Sequence, residues 1–361
     1  MARRNEPVEI PEVDAISGYP LPHERDRLIG HSRTEAALLE AYRSERLHHA
    51  WILGGPKGIG KATLAFRFAR FVIANPDRFG PSVTAAKDLS VSEDNPVSRQ
   101  LSAGGHPNIL HLRRPWDEKG KRFKSDLPVD EVRRTVSFFG TTASAKAWRI
   151  CIVDAADDMN ISSANALLKI LEEPPARCLF LVLSHAPGRL LPTIRSRCRR
   201  LDLATLSPEE IGSGLADLAP DLVPSGNDLA ELAEAADGSL RSAITLLSGD
   251  GLAIAKGMKK LANQGAQVDL AAVHALADVV AARGQADNWE SFQHMAQAWL
   301  HECMRRDVSS SVRNAYGFVE LSEKTNQAIR DADALNLDRK QVVLDFFLSL
   351  RAASSQGKPF T

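Results

Sequence analysis

The chain has 361 residues, of which 44% are hydrophobic and 25% charged, and its 45 acidic side chains balance its 45 basic ones. Because a single hydrophobic core rarely grows beyond about 250–300 residues, this length predicts two or three domains. The composition is that of a globular protein, and it excludes a disordered chain or a uniformly basic nucleic-acid coat protein. Any contact with DNA must therefore come from local patches.

The hydropathy of the chain bears on its cellular location, and the spacing of its cysteines bears on whether it binds zinc. No apolar run approaches the roughly 20 residues that span a bilayer, and the N-terminal residues lack the hydrophobic segment of a secretory signal. We therefore expect a cytoplasmic location and no membrane partner. The cysteines form no C-x-x-C pair, which argues against a zinc site or a disulfide framework. Reduced, buried thiols are expected at Cys151, Cys178, Cys198 and Cys303.

In chain order, residues 1–27 come first; they are rich in Pro, Glu and Arg and predict a flexible arm. From Leu28 onward amphipathic helices alternate with short apolar strands, which predicts an α/β domain with a parallel sheet. A polar excursion and a basic hairpin interrupt this alternation. The predicted elements are a helix at 34–46, a strand at 50–53, a helix from Lys61, the excursion at 75–105, the hairpin at 113–124, a helix from Val129, a strand at 149–153, a helix through 164–171 and a strand at 178–183.

After Thr205 the strand patterns disappear. Two groups of helices follow, a small one that ends near Gly249 and a longer set at about 252–355.

Residues 55–61, Gly-Pro-Lys-Gly-Ile-Gly-Lys, fit the P-loop pattern, and they lie between an apolar strand and an amphipathic helix as phosphate binding requires. Backbone N–H groups of such a loop converge on phosphate oxygens, and Lys61 would reach the β- and γ-phosphates. The alternative is a glycine turn with an incidental lysine. ATP or ADP is the expected ligand, with contacts from Gly55, Pro56, Lys57, Gly58, Ile59, Gly60, Lys61, Ala62, Thr63 and Asp154.

The pattern fails at its last position, where Ala62 replaces the Ser or Thr whose hydroxyl binds magnesium. Thr63 is not a substitute, because one helical step rotates a side chain by about 100°. The sequence therefore predicts a degraded magnesium site.

The second strand of the phosphate site ends in Asp154, which suits a metal-facing carboxylate. The next residue is Ala155, whose methyl group can neither orient nor activate a water molecule. Asp157 and Asp158 are interpreted as solvated or helix-capping residues rather than a displaced base. We therefore expect nucleotide binding without efficient turnover.

The stretch 165–175, Asn-Ala-Leu-Leu-Lys-Ile-Leu-Glu-Glu-Pro-Pro, followed by Ser196-Arg197-Cys198, closely resembles bacterial DNA-polymerase clamp-loader subunits of the AAA+ superfamily. The likeness covers roughly residues 28–247. It implies a RecA-like P-loop domain at 28–206, a small helical lid domain at 207–251 and an all-α collar domain for oligomerisation at 252–361.

Within that family, Ala62 and Ala155 favour a subunit that does not drive hydrolysis. The zinc cysteines that many relatives carry after the P-loop helix are absent, so no zinc is expected. The resemblance implies gamma/tau and delta clamp-loader subunits as partners, and the sliding clamp and primed DNA through the complex.

The resemblance implies functional roles for two arginines. Arg197, in the Ser-Arg-Cys motif, would act as an arginine finger on ATP held by a neighbouring subunit; a local ion pair is the alternative. Arg241 stands at the family's sensor position on the lid, where a surface ion pair is equally compatible.

Two rival functions stay open: an active gamma/tau-like ATPase, and a stand-alone P-loop regulator. The basic residues of the hairpin, diluted by interleaved carboxylates, leave DNA contact undecided.

Overall fold

The chain forms two compact units, Met1–Thr205 and Leu206–Thr361. In this computed structural model the described residues are 12–13, 15–44, 47–140, 147–224, 227–282, 286–310, 312–335 and 337–355.

The first unit is an α/β fold, as predicted. Its helices are α1 (Ser32–Arg43), α2 (Lys61–Ala74), α3 (Pro81–Ala85), α4 (Pro96–Ser102), α5 (Val129–Gly140), α6 (Ile161–Glu172) and α7 (Pro192–Arg197). Its strands are β1 (Ala50–Gly54), β2 (Ile109–Leu112), β3 (Trp116–Asp117), β4 (Arg122–Phe123), β5 (Arg149–Val153), β6 (Cys178–Ser184) and β7 (Arg199–Asp202). The main sheet is parallel, in the order β2-β5-β6-β1-β7.

The three central strands, β1, β5 and β6, are buried along their whole length. Successive side chains alternate between the two faces. Trp51 and Leu53 therefore pack with α1 and α2 on one face, whereas Ala50 and Ile52 pack with α5, α6 and α7 on the other. Because both faces are covered, these strands appear in the sequence as continuous apolar runs.

The sequence analysis did not predict β2 or β7. Strand β7 pairs only with β1 and so forms an edge of the sheet, where Arg199 and Arg200 are exposed. The guanidinium of Arg199 lies 5.0 Å from the ring centroid of Trp51. A short, arginine-rich edge strand has no apolar periodicity by which it could be recognised.

The predicted arm is attached to the sheet domain earlier than expected. Arg70, which is 1% exposed, donates to the carbonyls of His23 and Arg25 and to the Asp26 carboxylate at 2.8, 3.0 and 2.9 Å. Residues 23–26 of the predicted arm therefore contact helix α2, which the sequence did not predict because it gives no sign that an arginine inside this helix is buried.

The second unit is entirely helical over its described residues. Its helices are α8 (Pro208–Leu218), α9 (Asn227–Ala235), α10 (Leu240–Leu247), α11 (Gly251–Ala262), α12 (Leu270–Val280), α13 (Ala286–Ser310), α14 (Val312–Leu335) and α15 (Arg339–Ser355). Helix α10 packs against α13, so the predicted lid and the predicted collar lie within one compact unit. Among the described residues, no helix has the length and apolarity needed to cross a membrane.

Candidate functional site

The predicted P-loop lies where strand β1 ends and helix α2 begins. Gly55, Gly58 and Gly60 have φ angles of 142°, 79° and 111°, a backbone region that L side chains rarely adopt. A Cβ on Gly55 would also lie 2.7 Å from the carbonyl oxygen of Leu203. Glycine is therefore required for the loop to turn, and the loop leads directly into the N-terminus of α2.

Lys61, the first residue of α2, reaches back into this loop. Its Nζ donates to the carbonyl oxygens of Gly55 and Pro56 at 2.7 and 2.6 Å, and the residue is 4% exposed. Burial lowers the pKa of the ammonium group to about 8, although the carboxylates of Asp154 and Asp157 act to raise it. The cation is thus held inside the loop in a partly desolvated setting.

These residues fit a nucleotide phosphate better than they fit its magnesium. The first-turn N–H groups of α2 have no intrahelical carbonyl, and the helix dipole favours an anion at this end. Ala62, in contrast, has a methyl group at the position where a side-chain hydroxyl is needed to bind magnesium. Among the described residues no group of three or more His, Cys, Asp or Glu side chains could hold a metal ion.

Asp154 follows β5, and its Oδ2 lies 3.5 Å from Nε2 of His111 on β2. The next residue, Ala155, is 7% exposed and carries no group that could activate water. Strand β2, which the sequence analysis missed, thus places a histidine beside the Asp154 carboxylate.

Asp157 is exposed to solvent, as interpreted, and its carboxylate also accepts hydrogen bonds that the sequence did not predict. Its Oδ1 accepts from the Ser184 hydroxyl at 2.9 Å and from the Ala186 amide at 3.1 Å, and its Oδ2 accepts from the His185 amide at 2.6 Å. Both oxygens therefore fix the end of strand β6. Asp158 instead pairs with Nε of Arg114 at 3.0 Å.

His185 lies beside this cluster. Burial, together with the nearby Lys61 cation, lowers its pKa to about 4. At neutral pH the imidazole is therefore uncharged and contributes no positive charge toward a phosphate.

Arg197 is the last residue of α7. Its NH2 lies 2.7 Å from Oε1 of Glu172, and its NH1 donates to the carbonyl oxygen of Thr193 at 3.0 Å. The side chain is 34% exposed and that of Glu172 is 50% exposed. The two motifs that carry the family resemblance are thus in direct contact, which the sequence analysis did not predict.

Arg241 belongs to the helical unit, in the first turn of α10. Its NH2 lies 3.1 Å from Oε1 of Glu290 on α13, and the neighbouring Ser242 hydroxyl lies 3.3 Å from Nδ1 of His294. These contacts join α10 to α13. A nucleotide role for Arg241 stays a prediction.

The predicted hairpin is present as β3 and β4, joined by an edge-to-face contact between Trp116 and Phe123 with centroids 5.0 Å apart. Just before it, Arg113 pairs with Glu12 and Arg114 pairs with Asp158. Carboxylates therefore already neutralise the basic residues next to the hairpin.

The parallel sheet, the glycine loop and the following helix define an α/β fold of the P-loop type. Residues 30–207 match the family described as DNA polymerase III, delta subunit. The match spans 178 of the 361 residues and is a likeness to that family.

The chain is also similar to individual proteins. The chain is 37% identical over 150 residues to the DNA polymerase III subunit delta' of Pseudomonas aeruginosa, covering 42% of this chain and 41% of that one. It is 27% identical over 228 residues to the subunit tau of Bacillus subtilis, covering 63% and 37%. A solved DNA polymerase III gamma subunit-related protein from Thermotoga maritima aligns over 89% of this chain and 99% of its own, at 15% identity and a TM-score of 0.43. The matches thus span about two fifths of the two sequence relatives.

Proposed function

We propose that the chain is a delta-prime-like subunit of the bacterial clamp loader, which holds gamma/tau and delta subunits in a ring that loads the sliding clamp on primed DNA. The observation that carries this proposal is a family-type P-loop without the side chains for hydrolysis. In this proposal residues 207–251 serve as the lid and 252–361 as the collar that joins other subunits.

The loss of hydrolysis follows from two positions. Ala62 cannot ligate magnesium, and Ala155 cannot activate water; loss of a general base alone typically costs about 10² to 10⁴ in rate. Asp157 does not take over that role in this proposal, because its carboxylate accepts hydrogen bonds from the Ser184 hydroxyl and from the His185 and Ala186 amides, which hold it against the end of β6.

We expect the isolated chain to hydrolyse ATP at the background rate, and this tests the proposal directly. The measurement is steady-state phosphate release from ATP with magnesium. The matched variant Ala62→Thr plus Ala155→Glu shows whether restoring both groups is enough for turnover. If the unmodified chain turned over ATP at about 1 per second, typical of a working enzyme, the proposal would fail.

ATP or ADP would still bind, through the loop amides and Lys61. Because the Lys61 pKa is about 8, roughly half of its ammonium groups are deprotonated at pH 8. A bound polyphosphate raises that pKa, so binding should take up about half a proton at pH 8 and about a tenth at pH 7. Calorimetry in buffers of different ionisation enthalpy measures this uptake.

The control for that measurement is Lys61→Arg, whose guanidinium stays protonated across this range. Proton uptake at pH 8 should then fall to nearly zero while the loop keeps its positive charge. Uptake that is equal at the two pH values, or that persists in the arginine variant, would contradict the assignment of Lys61 to the phosphate.

Arg197 would serve a neighbour rather than its own loop. A guanidinium placed at a transferring phosphoryl group stabilises the charge that develops there and is typically worth about 10³ to 10⁵ in rate. Its position at the end of a short helix with a third of its surface exposed is compatible with such a reach.

The second candidate is an active gamma/tau-like motor, which the match to a tau subunit favours. It differs from the first in one respect, since it requires hydrolysis despite Ala62 and Ala155. The phosphate-release measurement on the isolated chain separates the two.

A further inference from the structure

The ends of helices α6 and α7 are joined by one ion pair. Glu172 is the last residue of α6 and Arg197 is the last residue of α7, and Oε1 of the first lies 2.7 Å from NH2 of the second. Both side chains keep a third or more of their surface exposed. This contact lies at the surface, where another chain can compete with it.

The remaining contacts of the guanidinium lie within its own helix. NH1 donates to the carbonyl oxygen of Thr193 one turn earlier at 3.0 Å, and it lies 3.5 Å from the Ser196 hydroxyl. The side chain therefore folds back along the last turn of α7. To touch an anion on another chain, the guanidinium must swing away from Thr193 and Glu172.

The ion pair between Glu172 and Arg197 is strong enough to favour one rotamer of Arg197, and it is weak enough for another anion to replace Glu172. Exposed ion pairs typically contribute about 0.2–1 kcal/mol, and salt screens them. A polyphosphate carries more negative charge than one carboxylate and accepts bidentate hydrogen bonds from arginine, so it can replace Glu172 as the partner.

We propose that Glu172 is a positioning residue that holds Arg197 in this retracted rotamer until a neighbouring subunit presents the phosphates of its nucleotide. The inference rests on the proposed function, in which Arg197 acts on that nucleotide. Glu172 then lowers hydrolysis in the resting complex and has little effect once clamp and DNA have brought the subunits into their active arrangement.

The variant Glu172→Gln tests the positioning role of Glu172, because it removes the negative charge of the side chain and keeps its size and shape. The control is Glu173→Gln, which makes the same charge change at the next residue, also exposed and the C-cap of α6. Each variant is assembled with gamma/tau and delta from the same organism, and ATP turnover is measured with and without clamp and primed DNA. Thermal unfolding of each isolated chain checks that folding is unchanged.

We expect Glu172→Gln to raise the unstimulated kcat about twofold to fivefold, the range that an exposed pair of this kind supports. The rise should disappear at high salt, the stimulated kcat should stay within about twofold, and Glu173→Gln should match the unmodified chain. In an Arg197→Ala background the Glu172 substitution should change nothing.

The outcomes separate the inference from the function on which it rests. If Arg197→Ala leaves turnover intact, the arginine-finger role itself is rejected. If Arg197→Ala lowers turnover but Glu172→Gln behaves as Glu173→Gln does, or lowers the unstimulated rate, the finger role stands and the retracting role of Glu172 is overturned.

Discussion

If the chain is the proposed loader subunit, Arg197→Ala should remove ATP hydrolysis at the neighbouring site that Arg197 is proposed to serve, while leaving the chain folded. An arginine finger typically accelerates hydrolysis by about 10³ to 10⁵. Without it, hydrolysis at that site should be undetectable within one catalytic cycle. In a single-turnover experiment with clamp and primed DNA, the burst of phosphate should lose the ATP of that site. Clamp loading should fall with it.

The control for this variant is Arg195→Ala, on the same helix. Arg195 is exposed, and its NH1 lies 3.4 Å from the carbonyl oxygen of Gly188. It should leave the burst unchanged. A full burst with Arg197→Ala would remove the residue from the mechanism, and a clear loss of thermal stability in the isolated variant would favour a structural role for its pair with Glu172.

Arg67→Met should destabilise the α/β unit by about 3–5 kcal/mol, because it leaves a buried carboxylate without its cation. Arg67 is 6% exposed; its Nε lies 2.6 Å from Glu35, and its other nitrogens lie 3.1 and 3.6 Å from Asp26 and Asp88. The side chain of Glu35 is 12% exposed. Urea unfolding should show a midpoint lower by about 1–3 M.

Arg133→Met is the matched control, since Arg133 pairs with Asp130 on the exposed face of α5 at 66% exposure. It should change the free energy of unfolding by no more than about 0.5 kcal/mol. An Arg67→Met chain within about 1 kcal/mol of the unmodified one would mean that the three carboxylates do not depend on this arginine.

Apolar runs and glycine spacing carried most of what the sequence predicted. Strands β1, β5 and β6 were predicted because strands buried on both faces consist almost wholly of apolar residues. The P-loop was predicted because residues that must adopt positive φ are glycines at fixed spacing. Parallel pairing and the hairpin follow from the same local signals.

The sequence did not predict features that depend on contacts between distant polar residues. Strand β7 is short, lies at the edge and is rich in arginine, so no apolar pattern marks it. In α2, Arg67 and Arg70 interrupt an apolar helix, and only the structure shows their carboxylate and carbonyl partners.

In the candidate site, the sequence motif showed which catalytic side chains are missing. It did not show how the side chains that are present contact one another. Ala62 and Ala155 are visible in the sequence as departures from a pattern. That Asp157 holds the end of β6, and that Glu172 holds Arg197, could not be predicted, because each pair joins segments that only the fold brings together.

The most direct test of the account is assembly of the full chain with gamma/tau and delta subunits of the same organism, followed by size-exclusion chromatography with mass determination and by clamp loading on primed DNA. The account predicts that the chain enters a stable complex with both partners and that the complex loads the clamp only when the chain is present. A chain that elutes alone, while gamma/tau and delta load the clamp equally well without it, would contradict the account.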